Sequence, residues 1–429
     1  MLLKEYDLEK KGYDELVKEL KSREGETNKE VFQIVTEIIS NVRANGDKAL
    51  KEYSEKFDKV TLDKFLVDKS EIDNCFDKVE KEFISNMEEA RDNIIYYHEA
   101  QKSRGFILNK DNGVFLGQRV LPLDSVGVYV PGGTAAYPSS VLMNVIPAKV
   151  AGVEKIVMVT PPNKDGELNP YIAVAAKIAG VDEIYKVGGA QAVAALAYGT
   201  ESIPKVDKIV GPGNIFVATA KQLVFGTVDI DMIAGPSEIL VIAEDGANPK
   251  FIAADLMSQA EHDKLASSIF VTTSRTLVGK VEEEIKKQVE NLERKEIILE
   301  SLINHGKAII CNNLDECIEV SNNIAPEHLE LMIDNPMEVL GKVRHAGSVF
   351  LGHYTAEPVG DYFGGTNHVL PTSGTARFFS ALSVDSFIKK SSFLYYSDDA
   401  IQADGNKIIN IANKEGLTAH ANSIKVRLK

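Results

Sequence analysis

Cysteine is scarce: Cys75, Cys311 and Cys317 form no CxxC pair and are too few for a disulfide framework, which fits a reducing compartment. Long apolar runs are missing as well. No stretch is long enough to cross a bilayer, and the opening MLLKEYDLEKKG is charged throughout, without the apolar core of a secretory signal. A cytoplasmic location is the resulting expectation. Positive charge is in deficit, with 48 Lys+Arg against 63 Asp+Glu and a net charge of −15, which argues against nucleic acid or an anionic membrane as partner. Pro and Gly are not in excess, and 44% hydrophobic with 26% charged residues excludes the disordered and fibrous classes. What remains is a globular chain long enough for roughly three domains of about 150 residues each.

Residues 1 to 110 read as helical. Val31, Ile34, Val35, Ile38, Ile39 and Val42, and later Phe83, Met87, Ala90 and Ile94, recur three or four apart on single stripes. The texture changes near Gly113. Short β-branched runs follow at 126–130, 155–160, 183–187 and 208–210, then at 238–242, 268–272, 307–311 and 348–351. Helical patterns at 139–150, 170–178, 191–198 and 215–225 separate the earlier ones. Such alternation predicts parallel sheets with crossover helices. The expected fold is α/β: two Rossmann-like parallel-sheet bodies, a helical N-terminal segment and a helical C-terminal arm. Residues 1–110 form the helical region, part of it packing on the second body, 111–237 the first body and 238–381 the second. Residues 382–429 form an arm too short for its own core, which must dock on another surface.

Seven stretches carry candidate chemistry. In Asp255-Leu-Met-Ser-Gln-Ala-Glu-His262, a helix would place Gln259 and His262 three apart on one face, half of a site for zinc or a similar cation. The plainer alternative is that His262 only caps a helix end. Gly-rich turns follow strands at Pro131-Gly132-Gly133, Gly188-Gly189 and Gly211-Pro212-Gly213-Asn214, where a sheet would meet a phosphate. Asp229 and Asp231 stand about 20 residues beyond Gly211, as a dinucleotide fingerprint expects, but Phe216 occupies its third Gly position. These turns read equally well as tight loops. In Ala325-Pro326-Glu327-His328-Leu329, Pro326 suits the first position of a helix, whose positive end would keep Glu327 ionised and His328 neutral as two general bases. A plain capped helix start is the other reading. Residues 357–379 lack periodicity yet hold too much apolar surface for disorder, and offer Asp361 as an oxygen ligand with His368 seven residues on. After a helical pattern at 400–413 come Glu415 and His420, the latter either incidental or a ligand delivered to a neighbouring subunit.

The motifs VGVYVPGG (126–133), VGGAQA (187–192), GPGN (211–214), GPSEIL (235–240), SQAEH (258–262), APEHLE (325–330), GDYFGGTNHVLPT (360–372) and EGLTAH (415–420) occur in this order. Over essentially its whole length the chain resembles the histidinol dehydrogenase family. The resemblance implies a homodimer of histidine biosynthesis that oxidises L-histidinol to L-histidine through L-histidinaldehyde, with two NAD+ at one Zn2+ site per subunit. It implies zinc held by Gln259, His262, Asp361 and, from the partner subunit, His420. Glu327 and His328 become the acid/base pair. Ser237, His368 and Glu415 contact substrate, together with His328 and the metal ligands, and Tyr129, Gln191 and Asn214 contact NAD. The chemistry is coherent, since an imidazole and an amino group offer two nitrogens for chelation. No cysteine lies in a setting that favours a thiolate, so water must attack the aldehyde. In that scheme His328 takes the alcohol proton, Glu327 activates the water and His328 acts again in the second oxidation. Two rivals use the same residues: a zinc-dependent hydrolase with Glu327 as water-activating base, and a non-catalytic metal-binding scaffold.

Overall fold

The computed structural model describes residues 2–8, 29–132 and 137–429. Its N-terminal strand β1 (Lys4–Asp7) is followed by the described helices α1 (Lys29–Tyr53), α2 (Lys69–Phe76) and α3 (Lys81–Glu99). The stripe of α1 that includes Val35, Ile38 and Val42 is buried in one core with Val193, Leu196 and Val217. Helix α1 therefore packs on the first α/β body, while among the described residues β1 joins the second sheet and α3 touches the second body through Asn93, which donates to the Phe363 carbonyl at 3.0 Å. A short antiparallel pair, β2 (Phe106–Lys110) and β3 (Val114–Pro122), leads into that first body.

The first body alternates β4 (Ser125–Tyr129), α4 (Pro138–Ala151), β5 (Lys155–Thr160), α5 (Pro170–Ala179), β6 (Glu183–Lys186), α6 (Gly189–Tyr198), β7 (Lys208–Val210), α7 (Ile215–Val224) and β8 (Asp229–Ile230). Its sheet is parallel with order β6-β5-β4-β7-β8. The chain winds outward from β4 to β6, then crosses back to β7. That reversal opens a crevice at the carboxyl ends of β4 and β7, where a ligand binds in such sheets.

The second body continues with β9 (Glu238–Ala243), α8 (Pro249–Ala260), β10 (Ser267–Thr272), α9 (Arg275–Gln288), α10 (Lys295–His305), β11 (Lys307–Ile310), α11 (Leu314–Ile324), β12 (His328–Met332), α12 (Pro336–Leu340), β13 (Ser348–Leu351) and α13 (Glu357–Tyr362). The strands are parallel in the order β1-β11-β10-β9-β12-β13. Central β9 is sealed on both faces, with Ile239, Val241 and Ala243 in one core and Leu240 and Ile242 in the other, so its sequence is an unbroken apolar run.

The C-terminal arm is not wholly helical. It opens with β14 (Ile388–Tyr395), which pairs antiparallel with β3, before α14 (Asp398–Lys414) and α15 (Thr418–Lys425). In the resulting sheet β14-β3-β2, Phe106, Ile107 and Leu108 are 49%, 66% and 54% exposed, as is Leu394 at 64%, an apolar surface without cover in the single chain. Among the described residues no helix is long and apolar enough to cross a membrane.

Candidate active site

Glu327 and His328 do not open a helix. Ala325, with φ of 53°, caps the C-terminus of α11, Pro326 prevents that helix from continuing, and the chain goes straight into β12. Both side chains are anchored to the first residue of β9. Glu327 Oε2 accepts from the Glu238 N–H at 2.8 Å, and His328 Nδ1 lies 3.0 Å from the Glu238 carbonyl oxygen. A carbonyl can only accept, so Nδ1 carries a hydrogen. Nε2 is buried without a hydrogen-bond partner and stands 3.8 Å from Asp361 Oδ1. His328 Nδ1 is also 3.6 Å from Glu327 Oε2.

This constellation lies at the amino edge of the second sheet, not at the carboxyl edge where ligands usually bind. Helix α8 crosses back from the carboxyl end of β9, which returns its last turn, with Gln259, to the same edge. Gln259 is fully buried, and neither its Oε1 nor its Nε2 has a partner. His262 lies two residues past the helix end, in a turn where its N–H reaches the Gln259 carbonyl at 3.2 Å. The protein around His262 lowers its pKa, opposed by the charge of Asp361. Ser237, half-buried, immediately precedes β9.

The stretch 357–379 begins as a short helix, α13, and that turn of helix positions the acids. Asp361 stands between two imidazoles, its Oδ2 3.8 Å from His368 Nδ1. His368 Nε2 is 3.3 Å from Ser140 Oγ in the first turn of α4, and Asn367 donates to the Met143 carbonyl at 2.7 Å. Since α4 follows the carboxyl end of β4, these bonds set the acid/base cluster beside the crevice of the first sheet.

Sequence reasoning overlooked Glu357, Glu330 and Glu238, and gave Asp255 no role. Atoms of His328, Glu357 and Asp361 lie within 4.8 Å of one another, close enough to hold an ion. Ser258 Oγ donates to Glu357 Oε2 at 3.3 Å, and the Glu357 N–H donates to Glu330 Oε1 at 2.8 Å. Burial drives these acids towards neutrality: Asp255 is raised to about 6, Glu330 is raised well above the usual range, and Glu357 reaches about 8 with the charge of Asp361 adding to the effect. Asp361 goes the other way. Burial would raise it, but His328 and His368 hold it at about 2. Burial lifts Glu327 to about 7, against the pull of His328. Burial lowers His328, but the charges of Glu327 and Asp361 outweigh it and bring the imidazole to about 10. Both shifts run opposite to those expected at a helix N-terminus, because these residues begin a buried strand instead. A buried acid titrating near 7 is suited to moving protons in either direction at neutral pH.

In the first body, the Tyr129 hydroxyl accepts from the Gly189 N–H at 3.0 Å, and burial raises its pKa to about 12. Gln191 is buried and folds over the same turn, where a Cβ on Gly189 would stand 2.7 Å from its Oε1. The Asn214 oxygen caps α7 through the N–H groups of Phe216 and Val217 at 3.1 and 3.2 Å, which leaves its NH2 group for a ligand. Gly133 lies outside the described residues. Gly211 has φ of 113°, and a Cβ there would sit 2.0 Å from the Tyr129 carbonyl oxygen, so this turn is glycine for close packing of backbone on backbone. Asp231, spaced as the acid of a dinucleotide fingerprint, is spoken for: it pairs with buried Lys221 and accepts from the Gly211 N–H at 2.8 Å. Lys221→Met would strand a carboxylate that is 1% exposed. The expected loss is about 3–5 kcal/mol in urea unfolding, with much of it regained on adding Asp231→Leu. A loss below about 1 kcal/mol, the worth of a surface pair, would show that Lys221 does not clamp Asp231.

Glu415 and His420 are exposed on the terminal arm and, among the described residues, stand apart from the charges that act on His262, His328, Asp361 and His368. All three cysteines are buried thiols, and the Cys311 pKa is raised by a hydrogen bond to Cys317 and by burial, so none is a ready nucleophile.

Comparison with known proteins decides the family. The histidinol dehydrogenase family model matches residues 21–428. The chain belongs to the histidinol dehydrogenase family. It is 63% identical over 410 residues to a histidinol dehydrogenase of Clostridium acetobutylicum, covering 96% of this chain and 95% of that protein. A Listeria monocytogenes histidinol dehydrogenase is 53% identical over 417 residues, covering 97% of each. The crystal structure of histidinol dehydrogenase from Elizabethkingia anophelis superposes with a TM-score of 0.94 at 40% identity, covering 99% of this chain and 98% of that one. As a member of this family the chain is an NAD-dependent oxidoreductase, and the cluster at the amino edge of its second sheet is the candidate catalytic centre.

Proposed function

We propose that this chain oxidises L-histidinol to L-histidine through L-histidinaldehyde, as a zinc-dependent homodimer that uses two NAD+ per turnover. The observation that carries the reading is the placement of Glu327, His328 and Asp361 beside a buried Gln259 whose two amide atoms lack partners, within a family match of nearly the whole chain. The orphaned Gln259 amide, ionised Asp361 and nearby His262 suit a borderline cation, with the fourth position supplied by His420 of the partner subunit. When bound, zinc would supply a Lewis acid that holds the substrate and offsets the Asp361 charge that keeps a proton on His328, and each NAD+ would accept one hydride.

The chain's own groups divide the proton work. His328 Nε2, fixed outward by the Nδ1–H···O bond to Glu238, takes the hydroxyl proton as the carbon gives up its first hydride. Glu327 then draws a proton from water as the oxygen adds to the aldehyde carbon, and His328 returns the proton it took to the aldehyde oxygen, which gives the hydrate and frees Nε2. His328 takes a hydrate proton as the second hydride leaves. Each oxidation removes one hydride and one proton, so four electrons pass in all. Ser237, His368 and Glu415 are the further substrate contacts. The exposed apolar sheet and the terminal helices support a dimer, because in one chain they face solvent.

The hydrolase reading needs no nicotinamide and disagrees with the family assignment. Incubating the zinc-loaded protein with L-histidinol and NAD+ should yield two NADH per histidine. One NADH with aldehyde as the end product would refute the four-electron scheme, and none would refute the dehydrogenase at this site.

A further inference from the structure

Among the described residues, no acid stands directly after the second strand of the first sheet, where such folds bind a cofactor ribose. That acid ordinarily follows the second strand, but β5 runs into Thr160-Pro161-Pro162-Asn163. Asp231 is held by Lys221, and Asp229 pairs with Lys208 at 2.8 Å on the edge strand.

A carboxylate reaches this end of the sheet from the N-terminal segment instead. Asp58 closes a single π turn, Ser54–Asp58, directly after α1. The chain beyond it runs back along β6, with Lys186 N donating to Phe65 O at 2.9 Å and Val67 N to Ile184 O at 2.8 Å. Leu66 pairs antiparallel with Tyr185, so the residues preceding it lie past the carboxyl end of β6. Val60 and Leu62 meet Gly166 in the loop after β5. Asp58 thus enters over the position of the missing acid.

Its surroundings leave two hydrogen-bonding groups unused. Asp58 Oδ2 is closed off from solvent without a partner, and the Asp58 charge acts on Tyr129. The Tyr129 oxygen is taken by the Gly189 N–H, while its own proton has no acceptor among the described residues. A hydroxyl group satisfies both at once, accepting from Tyr129 and donating to Asp58. Burial pushes the Asp58 carboxyl up to about 6, so the fold retains an acid that is costly to ionise. Retained cost of this kind is characteristic of a functional position.

We propose that Asp58, with Tyr129, binds the ribose hydroxyls of NAD+ and by its charge rejects the 2′-phosphate of NADP+. The inference rests on the reading that NAD+ occupies the first-body crevice, and the test separates the two. Calorimetry with NAD+ and NADP+ is carried out on the zinc-loaded enzyme and on its Asp58→Asn, Asp58→Ser and Gln191→Ala variants. Both Asp58 variants should bind NAD+ about tenfold or more weakly, with no loss of NADP+ affinity. Their melting temperature without cofactor should equal or exceed that of the parent, because a desolvated charge is gone. Parent-like NAD+ affinity in the Asp58 variants alongside a loss in Gln191→Ala overturns the inference and leaves the crevice reading intact. Equal weakening towards both cofactors also overturns it, since Asp58 would then only support Tyr129. Undiminished NAD+ binding in all three variants overturns the crevice reading itself.

Discussion

Glu327→Gln should leave the first hydride transfer within about tenfold of the parent rate and slow the second by roughly 10²–10⁴-fold, the usual worth of a positioned general base. Glutamine retains an oxygen for the Glu238 N–H that Glu327 now occupies at 2.8 Å, so the strand start should survive the change. What it loses is the carboxylate that titrates near 7 and can draw a proton from water. The aldehyde should then accumulate after one NADH per site, visible as a full first burst and a stalled second phase in a single turnover. His328→Gln should instead suppress both phases, because both oxidations release a proton to Nε2. Equal damage to the two half-reactions in Glu327→Gln would refute the division of labour.

His420→Asn should cost at least about 100-fold in metal affinity, the upper end of what even outer partners of a metal site contribute. The residue is exposed, and its charge does not figure among those acting on His262 and Asp361 of its own chain, so the proposal places its effect across a dimer. Gln259→Ala should fail in the same assay from the other side of the site. A heterodimer of the two single variants contains one doubly damaged site and one intact site, so it should recover roughly half of parental activity. No recovery in a purified heterodimer would mean that each chain completes its own site.

Where burial on both faces imposes β-branched runs, the fold was legible. Strands β4, β5, β7 and β9 to β11 lie within or beside the expected segments. Edge strands β6 and β13 were legible too, from short apolar runs, whereas β1, β2 and β14 were not, because KEYD, FILNK and IKKSSFLY mix polar residues into every run. β12 was hidden by Pro326, which fits the start of a helix as well as the end of the preceding one. Only Ala325 in its left-handed conformation, a tertiary fact, decides between them.

The candidate site shows a similar divide. Gln259, His262, Asp361 and His368 are polar residues in apolar or Gly-rich settings, and their types suggested chemistry before their positions were known. Glu330 and Glu357 resembled ordinary solvated acids, because nothing local indicates that β12 and α13 bury them. Asp231 had the right spacing for a cofactor acid, and what disqualifies it is a lysine buried ten residues earlier.

Anomalous diffraction at the zinc edge, from crystals of the metal-loaded enzyme, shows whether one cation collects donors from two chains. A single peak bonded to Gln259, His262 and Asp361, and completed by His420 of the partner subunit, is the expected result. A peak held by His328, Glu357 and Asp361 of one chain would contradict it, since His328 could not then serve as the base.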